Sequence, residues 1–440
     1  MDNDRRKILE GFEKNREYTE ARVKYGIEAY RKGEAEIQIT DEEGKPLKGV
    51  TVKVHQKNHA FRYGANLFML DEMETAEKNE KYKEVFKKTF NMATLPFYWQ
   101  DLEPEEGKPR YAKNSVKVYR RPAPDLCMEY CLENGIEPRE HGLAYDHYFP
   151  DWLRNADVET IKRKYEKRCR EISERYGKDI RTIEVVNEPF WNIWNSALYN
   201  EPDFVEYCFK TARKYFGANQ LGINDGGEMW DDNGRTNDRY YMVIEQVLRN
   251  GAEIDAVGLQ YHMFYKPEEE YEKTRKRYDP KHLYKIMDLY GRFNKALQIT
   301  EITIPAYSEK KEDEELQAEI IRNIYSIWFS YEKVEQIMYW NLVDGYAWGT
   351  EPGDMTKDEN VYHGGLLRFD MTPKPAFYEV DKMFNQEWRT NLQLETDYEG
   401  KAAFRGFYGD YELTFINENG ESQKEITITK NSENAYKLVI

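Results

Sequence analysis

Cysteine is scarce in this chain: 440 residues hold only Cys127, Cys131, Cys169 and Cys208. None forms a paired C-x-x-C spacing, which argues against a cysteine zinc site or a disulfide scaffold. Cys127 and Cys131 lie four apart in a segment that reads helical, so buried thiols and a reducing compartment are expected. Long apolar runs are missing too. No stretch of about eighteen apolar residues exists, so no transmembrane helix and no membrane partner are expected. The start, "MDNDRRKILEGFEKNREYTEARV", has no apolar signal-peptide core. The expected location is cytoplasmic, with secretion open for a chain that has lost a leader. Basic residues are outnumbered 65 to 81, a net charge of −16, and no basic stripe dominates, which argues against a nucleic-acid partner. Gly-rich phosphate loops, internal repeats and low-complexity tracts are absent.

Aromatic residues are plentiful. Hydrophobic residues make up 40%, enough for a sizeable core, and Tyr alone numbers 35. Tyr and Trp offer an apolar face with a polar handle, a suitable surface for sugar rings as well as for ordinary packing.

Along the chain, residues 1–34 read as a charged amphipathic helix. Alternating strand patterns then occupy 35–60 and 390–440, and these two flanks are expected to pair into a small β-sandwich. Between them, over 61–389, strand-like segments alternate with helical ones. The strands are "FRYGANL", "FNMATLPF", "IEPREHGLAY", "TIEVVN", "LGIND", "IDAVGLQYH", "LQITEI" and "IMYWNLVD". Helical patterns such as "VETIKRKYEKRCREISERY" fall between them. Eight such alternations predict an α/β fold, a (β/α)8 TIM barrel with insertions. A doubly wound sheet fits less well without a phosphate loop after its first strand.

Barrel chemistry sits at the C-terminal ends of the strands. Those ends carry His141, Tyr145 and Asp146; Asn187 and Glu188; Asn224 and Asp225; Gln260 and His262; Glu301; and Trp340, with Asp344 and Trp348 beyond. Six consecutive polar or aromatic strand ends describe a lined cleft. Within "RTIEVVNEPF", Pro189 disfavours helical dihedrals at Glu188, so extended backbone is expected there. Glu188 and Glu301 end strands four and seven and face one another across the mouth. A lone strand-end Glu more often makes a structural ion pair. Two opposed carboxylates are what glycoside hydrolysis requires.

Taken in order, "TIEVVNEP", "IDAVGLQYH", "LQITEI" and "MYWNLVDGYAW" resemble family-10 glycoside hydrolases, the endo-β-1,4-xylanase family; "FRYGANLF", "WQDLEPEEGK" and "HGLAYDHYFPDW" sit where that family has counterparts. The likeness spans about 61–389, and Asn-Glu-Pro alone recurs across related barrel glycosidases. The resemblance implies a retaining hydrolase acting on an oligosaccharide or polysaccharide, with no cofactor and no metal. It implies Glu188 as acid/base and Glu301 as nucleophile. Asn187 and His141 would contact sugar hydroxyls, Gln260 and His262 would serve the cleft and the nucleophile, and Trp340 and Trp348 would form aromatic walls. Tyr145 and Asp146 stand where the family has Trp-His on the substrate side.

The glycone side departs from the family. A Glu-Asn pair and a Lys are replaced by the uncharged stretch Leu95, Pro96, Phe97 and Tyr98, and Gly226 stands where an aromatic is usual. An altered −2 preference is therefore expected. Rival readings are a β-glycosidase of the wider clan acting on a non-xylose glycoside, a non-catalytic glycan-binding barrel, and a metal-dependent hydrolase using His141, Asp146, His147 and His262. His147, His282 and His363 have no assigned job. Basic clusters such as "YRRP" and "KTRKRYDPK" read as solvated faces, with recognition of acidic sugar substituents as the alternative. Oligomeric state is not legible.

Overall fold

The computed structural model describes residues 5–191, 195–418 and 420–440. The chain divides into two compact units: one holds Tyr63–Trp328 and Lys333–Tyr378 with the N-terminal segment through Arg16; the other holds Glu17–Arg62, Phe329–Glu332 and Glu379–Ile440.

The first unit is built on a closed barrel of eight parallel strands. In order they are Arg62–Asn66, Met92–Pro96, Glu137–His141, Thr182–Asn187, Gln220–Asp225, Ala256–His262, Ala296–Thr303 and Val334–Tyr339. Strand four is the expected "TIEVVN". Every one of its residues is buried, as a parallel strand covered on both faces requires. Strand eight starts and stops earlier than its pattern suggested. The Trp340 N–H still bonds Ile302 O at 2.8 Å, after which the chain leaves the barrel.

The helices follow from spacing and caps. Val158–Tyr176 begins at Asp157, whose carboxylate accepts the Thr160 N–H at 2.7 Å. It buries Ile161, Tyr165, Arg168, Cys169, Ile172 and Tyr176, one face at helical spacing. The N-terminal helix is not continuous as expected. A 3-10 turn over Arg5–Leu9 leads to helices Glu10–Lys14 and Arg16–Arg31. The Asn15 amide donates to Gly11 O at 2.9 Å and closes off the shorter helix.

The second unit carries seven strands in two sheets. Lys32–Thr40 lies between Lys401–Phe407, antiparallel, and Ala435–Val439, parallel. The other sheet runs Asn391–Glu395, Thr51–His59, Gly409–Asn417, Gly420–Ile428, antiparallel throughout. Alternate residues of both sheets, among them Ile37, Ile39, Val52, Val54, Leu413 and Phe415, share one core. The flanks therefore form a sandwich.

Candidate active site

The end of strand four positions the first carboxylate. Asn187 N–H bonds Ala144 O at 2.9 Å and Glu188 N–H bonds Asn224 O at 2.8 Å, so both neighbours hold the backbone past the last strand residue. Glu188 then takes φ +48° rather than the extended backbone expected before Pro189. A left-handed non-glycine residue costs about 1–2 kcal/mol. The chain turns here, with Trp191 N–H returning to Glu188 O at 3.1 Å, and the turn aims Glu188 into the cleft. Strained backbone of this kind is tolerated where the surroundings over-determine it.

Glu301, in strand seven, is 3% exposed. Its Oε1 accepts from Asn224 Nδ2 at 2.8 Å and from Gln260 Nε2 at 3.0 Å, and its Oε2 lies 3.2 Å from His262 Nε2. The same Gln260 nitrogen donates to Glu188 Oε1 at 2.9 Å, and the Tyr145 hydroxyl donates to Glu188 Oε2 at 2.5 Å. One amide nitrogen within reach of both carboxylates keeps those two oxygens within about 6 Å of each other.

The two environments differ in sign. Burial pushes the Glu188 carboxyl up, and the neighbouring Glu301 charge adds to that. Burial also acts upward on Glu301, but the His262 hydrogen bond and the fields of His141, His262 and Arg139 outweigh it and hold that carboxyl below its usual range. One group is set to carry a proton while the other stays charged.

Around the pair, Asn224 is a hub that sequence reading noted only as a strand end. Its Nδ2 also donates to Asn187 Oδ1 at 2.8 Å, and its Oδ1 accepts from the Thr300 hydroxyl at 2.6 Å. Gly258 makes room for it, since a Cβ there would fall 2.5 Å from Asn224 Oδ1. His262 is braced by Thr303 Oγ1 at 3.0 Å. Trp340 packs edge-on against His262, His141 and Phe68.

Several expected sugar contacts are occupied by protein. His141 is fully buried, with Nδ1 2.6 Å from Glu184 Oε1 and Nε2 2.8 Å from the Tyr98 hydroxyl. Both ring nitrogens are engaged, so it has no nitrogen left for a substrate hydroxyl. Asp146 is also fully buried. Its carboxylate accepts the Ser196 N–H at 2.8 Å and the Asn195 N–H at 3.3 Å, which makes it a loop brace rather than a glycone contact. Tyr145 reaches Glu188. Trp348 stays partly open, at 36% exposure. The metal-ligand set does not assemble. His141 and Asp146 are committed as described, and among the described residues no group of three or more His, Cys, Asp or Glu side chains could hold an ion. All four cysteines are buried free thiols, and no described helix is long and apolar enough to cross a membrane.

The basic clusters are solvated only in part: Lys273, Arg275, Lys276 and Lys281 are exposed as expected, whereas three arginines are buried. Arg120 and Arg121 are 2% and 3% exposed, and Arg277 is 3% exposed. Arg277 donates to His262 O at 3.0 Å, bracing the end of strand six, and pairs with Asp231. No sequence signal separated these arginines from their exposed neighbours.

Residues 54–383, three quarters of the chain, match the sequence profile described as glycosyl hydrolase family 10. The chain belongs to this family. Among similar proteins, the anti-sigma-I factor RsgI6 of Acetivibrio thermocellus is 24% identical over 415 residues, covering 92% of this chain and 47% of that protein. Endo-1,4-beta-xylanase B of Neocallimastix patriciarum is 28% identical over 230 residues, 49% of this chain and 24% of that protein. The chain thus spans about half or less of both relatives. Endo-1,4-beta-xylanase B of Thermotoga neapolitana is 23% identical over 330 residues, 70% of this chain and 84% of that one. The fold matches that of xylanase 10B from Thermotoga petrophila RKU-1 in complex with xylobiose, with TM-score 0.57 and 21% identity over 74% of this chain and 95% of that one.

Two departures of this family-10 chain have structural explanations. Tyr98, where the uncharged strand-two end replaces polar residues, is buried and holds His141. Gly226, in place of an aromatic, leaves room for another one: a Cβ there would lie 3.0 Å from Trp191 Nε1. Trp191 is 54% exposed and three residues beyond Glu188. Sequence reading missed it, because its partner space is set by a strand 35 positions away.

Proposed function

We propose that the chain is a retaining β-glycoside hydrolase acting on xylan-derived or related plant-polysaccharide oligosaccharides. Glu188 donates its proton to the leaving oxygen while Glu301 attacks the anomeric carbon and forms a glycosyl-enzyme. Glu188, now ionised, then deprotonates the water that releases the sugar. The observation that carries this reading is the Gln260 bridge. It holds one oxygen of each carboxylate within about 6 Å of the other, which is compatible with the ~5–5.5 Å carboxyl separation of retaining enzymes. The opposite pKa directions of the pair support the same division of labour. With its amide oxygen held by Asn224, Asn187 has its NH2 for the substrate 2-hydroxyl, a contact that tightens as positive charge develops on the ring.

The hydrophobic, Tyr98-sealed end of strand two supports an altered glycone preference, and Trp191 beyond Glu188 supports an aromatic platform for the leaving sugar. The test is a panel of aryl β-glycosides and defined xylo-oligosaccharides with wild type, Glu301→Gln and Glu188→Ala. Glu301→Gln loses essentially all turnover. Glu188→Ala keeps glycosylation by substrates with good leaving groups, and azide restores its deglycosylation. Equal, mild losses in both variants overturn the assignment.

A further inference from the structure

The loop before the helix Pro124–Glu133 carries two consecutive arginines. Arg121 lies over the rings of Trp348, Tyr98, Tyr148 and Phe68, at 4.2, 4.4, 5.1 and 5.3 Å from their centroids. Its Nε donates to Asp101 Oδ2 at 2.7 Å. Phe68 and Tyr98 form one cluster with Trp340, which abuts His262 beside Glu301. The guanidinium therefore packs against the aromatic cluster that adjoins the proposed site and lies over the Trp348 indole.

Arg120 is the unusual member. It is 2% exposed and sits at φ +59°, a position only its surroundings can enforce. Its guanidinium lies 5.8 Å from the Phe68 ring centroid. Nη2 donates to the amide oxygen of Asn341 at 2.6 Å, and Asn341 in turn donates to Glu359 at 2.5 Å. Nε has no hydrogen-bond partner, and Glu359, whose charge favours this cation, is reached through the Asn341 amide rather than in a direct ion pair. Three other buried arginines pair with carboxylates, Arg121 with Asp101, Arg139 with Glu184 and Arg277 with Asp231, while Arg110 and Arg168 donate to backbone carbonyls. An unpaired buried charge costs several kcal/mol. A ligand carboxylate would supply the direct counter-charge that Arg120 lacks.

We infer that the glycone end of the cleft recognises a carboxylate-bearing sugar, a uronic acid carried on the oligosaccharide, with Arg120 and Arg121 as the specificity-determining pair. This rests on the hydrolase reading only for the direction in which the sugar lies. A guanidinium fork matches a carboxylate in two parallel hydrogen bonds, which an ammonium does not. The uncharged strand-two end beside it is consistent with a subsite that has exchanged neutral-sugar contacts for a charge contact.

The experiment measures binding by calorimetry with the Glu301→Gln protein, using a glucuronic-acid-substituted xylotriose and the same oligosaccharide after carboxyl reduction. The acidic form binds at least tenfold tighter, and raising the salt from 50 to 500 mM narrows the gap. Arg120→Gln brings the ratio near one, and Arg120→Lys leaves it intermediate. Equal or tighter binding of the reduced form by the parent protein overturns the inference without reference to any variant. So does a preference that survives Arg120→Gln together with Arg121→Gln. Absence of turnover by the wild-type protein on both oligosaccharides counts against the hydrolase reading alone, because the binding ratio is read without catalysis.

Discussion

Replacing Tyr145 by Phe removes a hydroxyl that donates to Glu188 Oε2 at 2.5 Å and leaves the ring in place. The bond favours the ionised carboxylate, and it is one of the influences that hold the Glu188 pKa down against burial and the Glu301 charge. A hydrogen bond to a charged group contributes about 1.5–3 kcal/mol. At ~1.4 kcal/mol per unit this is roughly 1–2 pKa units, upward. The first chemical step needs Glu188 protonated, so its pKa sets the basic limb of the kcat/KM profile on a substrate with a poor leaving group. Tyr145→Phe shifts that limb up by about 1–2 units. Tyr145→Trp, which restores an N–H donor and the residue type found in the family, brings part of it back. The limb reports the coupled pair, so the comparison is between variants, not with a single-site value. The assay is the pH dependence of kcat/KM on an unactivated xylo-oligosaccharide, with melting temperature as the fold control. A folded Tyr145→Phe protein whose basic limb stays in place or moves down refutes the argument.

Trp191→Ala raises KM for oligosaccharides with a sugar beyond the scissile bond by about tenfold, since losing an aromatic platform costs about 1–2 kcal/mol; the effect on a small aryl glycoside is slight, and equal effects on both contradict the platform. Glu140 gives a stability prediction. It is fully buried and its carboxyl is pushed up to about 8, chiefly by burial. Below about pH 4.5 both folded and unfolded chains carry this proton; as pH rises towards 8 the unfolded chain releases it while the fold retains it. The stabilising contribution is therefore lost as pH rises, at about 1.4 kcal/mol per unit. Glu140→Gln flattens the fall in melting temperature between pH 5 and 8, and an identical slope in wild type and variant rejects this account.

The fold was legible because each parallel strand is buried on both faces and reads as a short apolar run, as in "TIEVVN" and "LQITEI", with capped amphipathic helices between. The two glutamates were legible because strand ends in a barrel converge whatever their separation along the chain. The contacts of the second rank were not. His141 and Asp146 look like substrate ligands from their places at strand ends, yet Tyr98, Glu184, Asn195 and Ser196 take up their hydrogen-bonding atoms. The positive φ at Glu188 follows from a bond to the neighbouring strand, which outweighs the local influence of Pro189. Arg120, Arg121 and Arg277 read as surface charge because burial of a long cationic side chain depends on loops that carry no periodic pattern.

The central claim is that Glu301 attacks a sugar carbon while Glu188 serves the leaving oxygen. An activated 2-deoxy-2-fluoro-β-xylobioside, incubated with the protein and followed by peptide mass spectrometry, tests it most directly. The account predicts time-dependent inactivation and one added disaccharide on the peptide containing Glu301, absent from Glu301→Gln. Label on Glu188, or turnover of the parent substrate with no covalent adduct at any time, contradicts it.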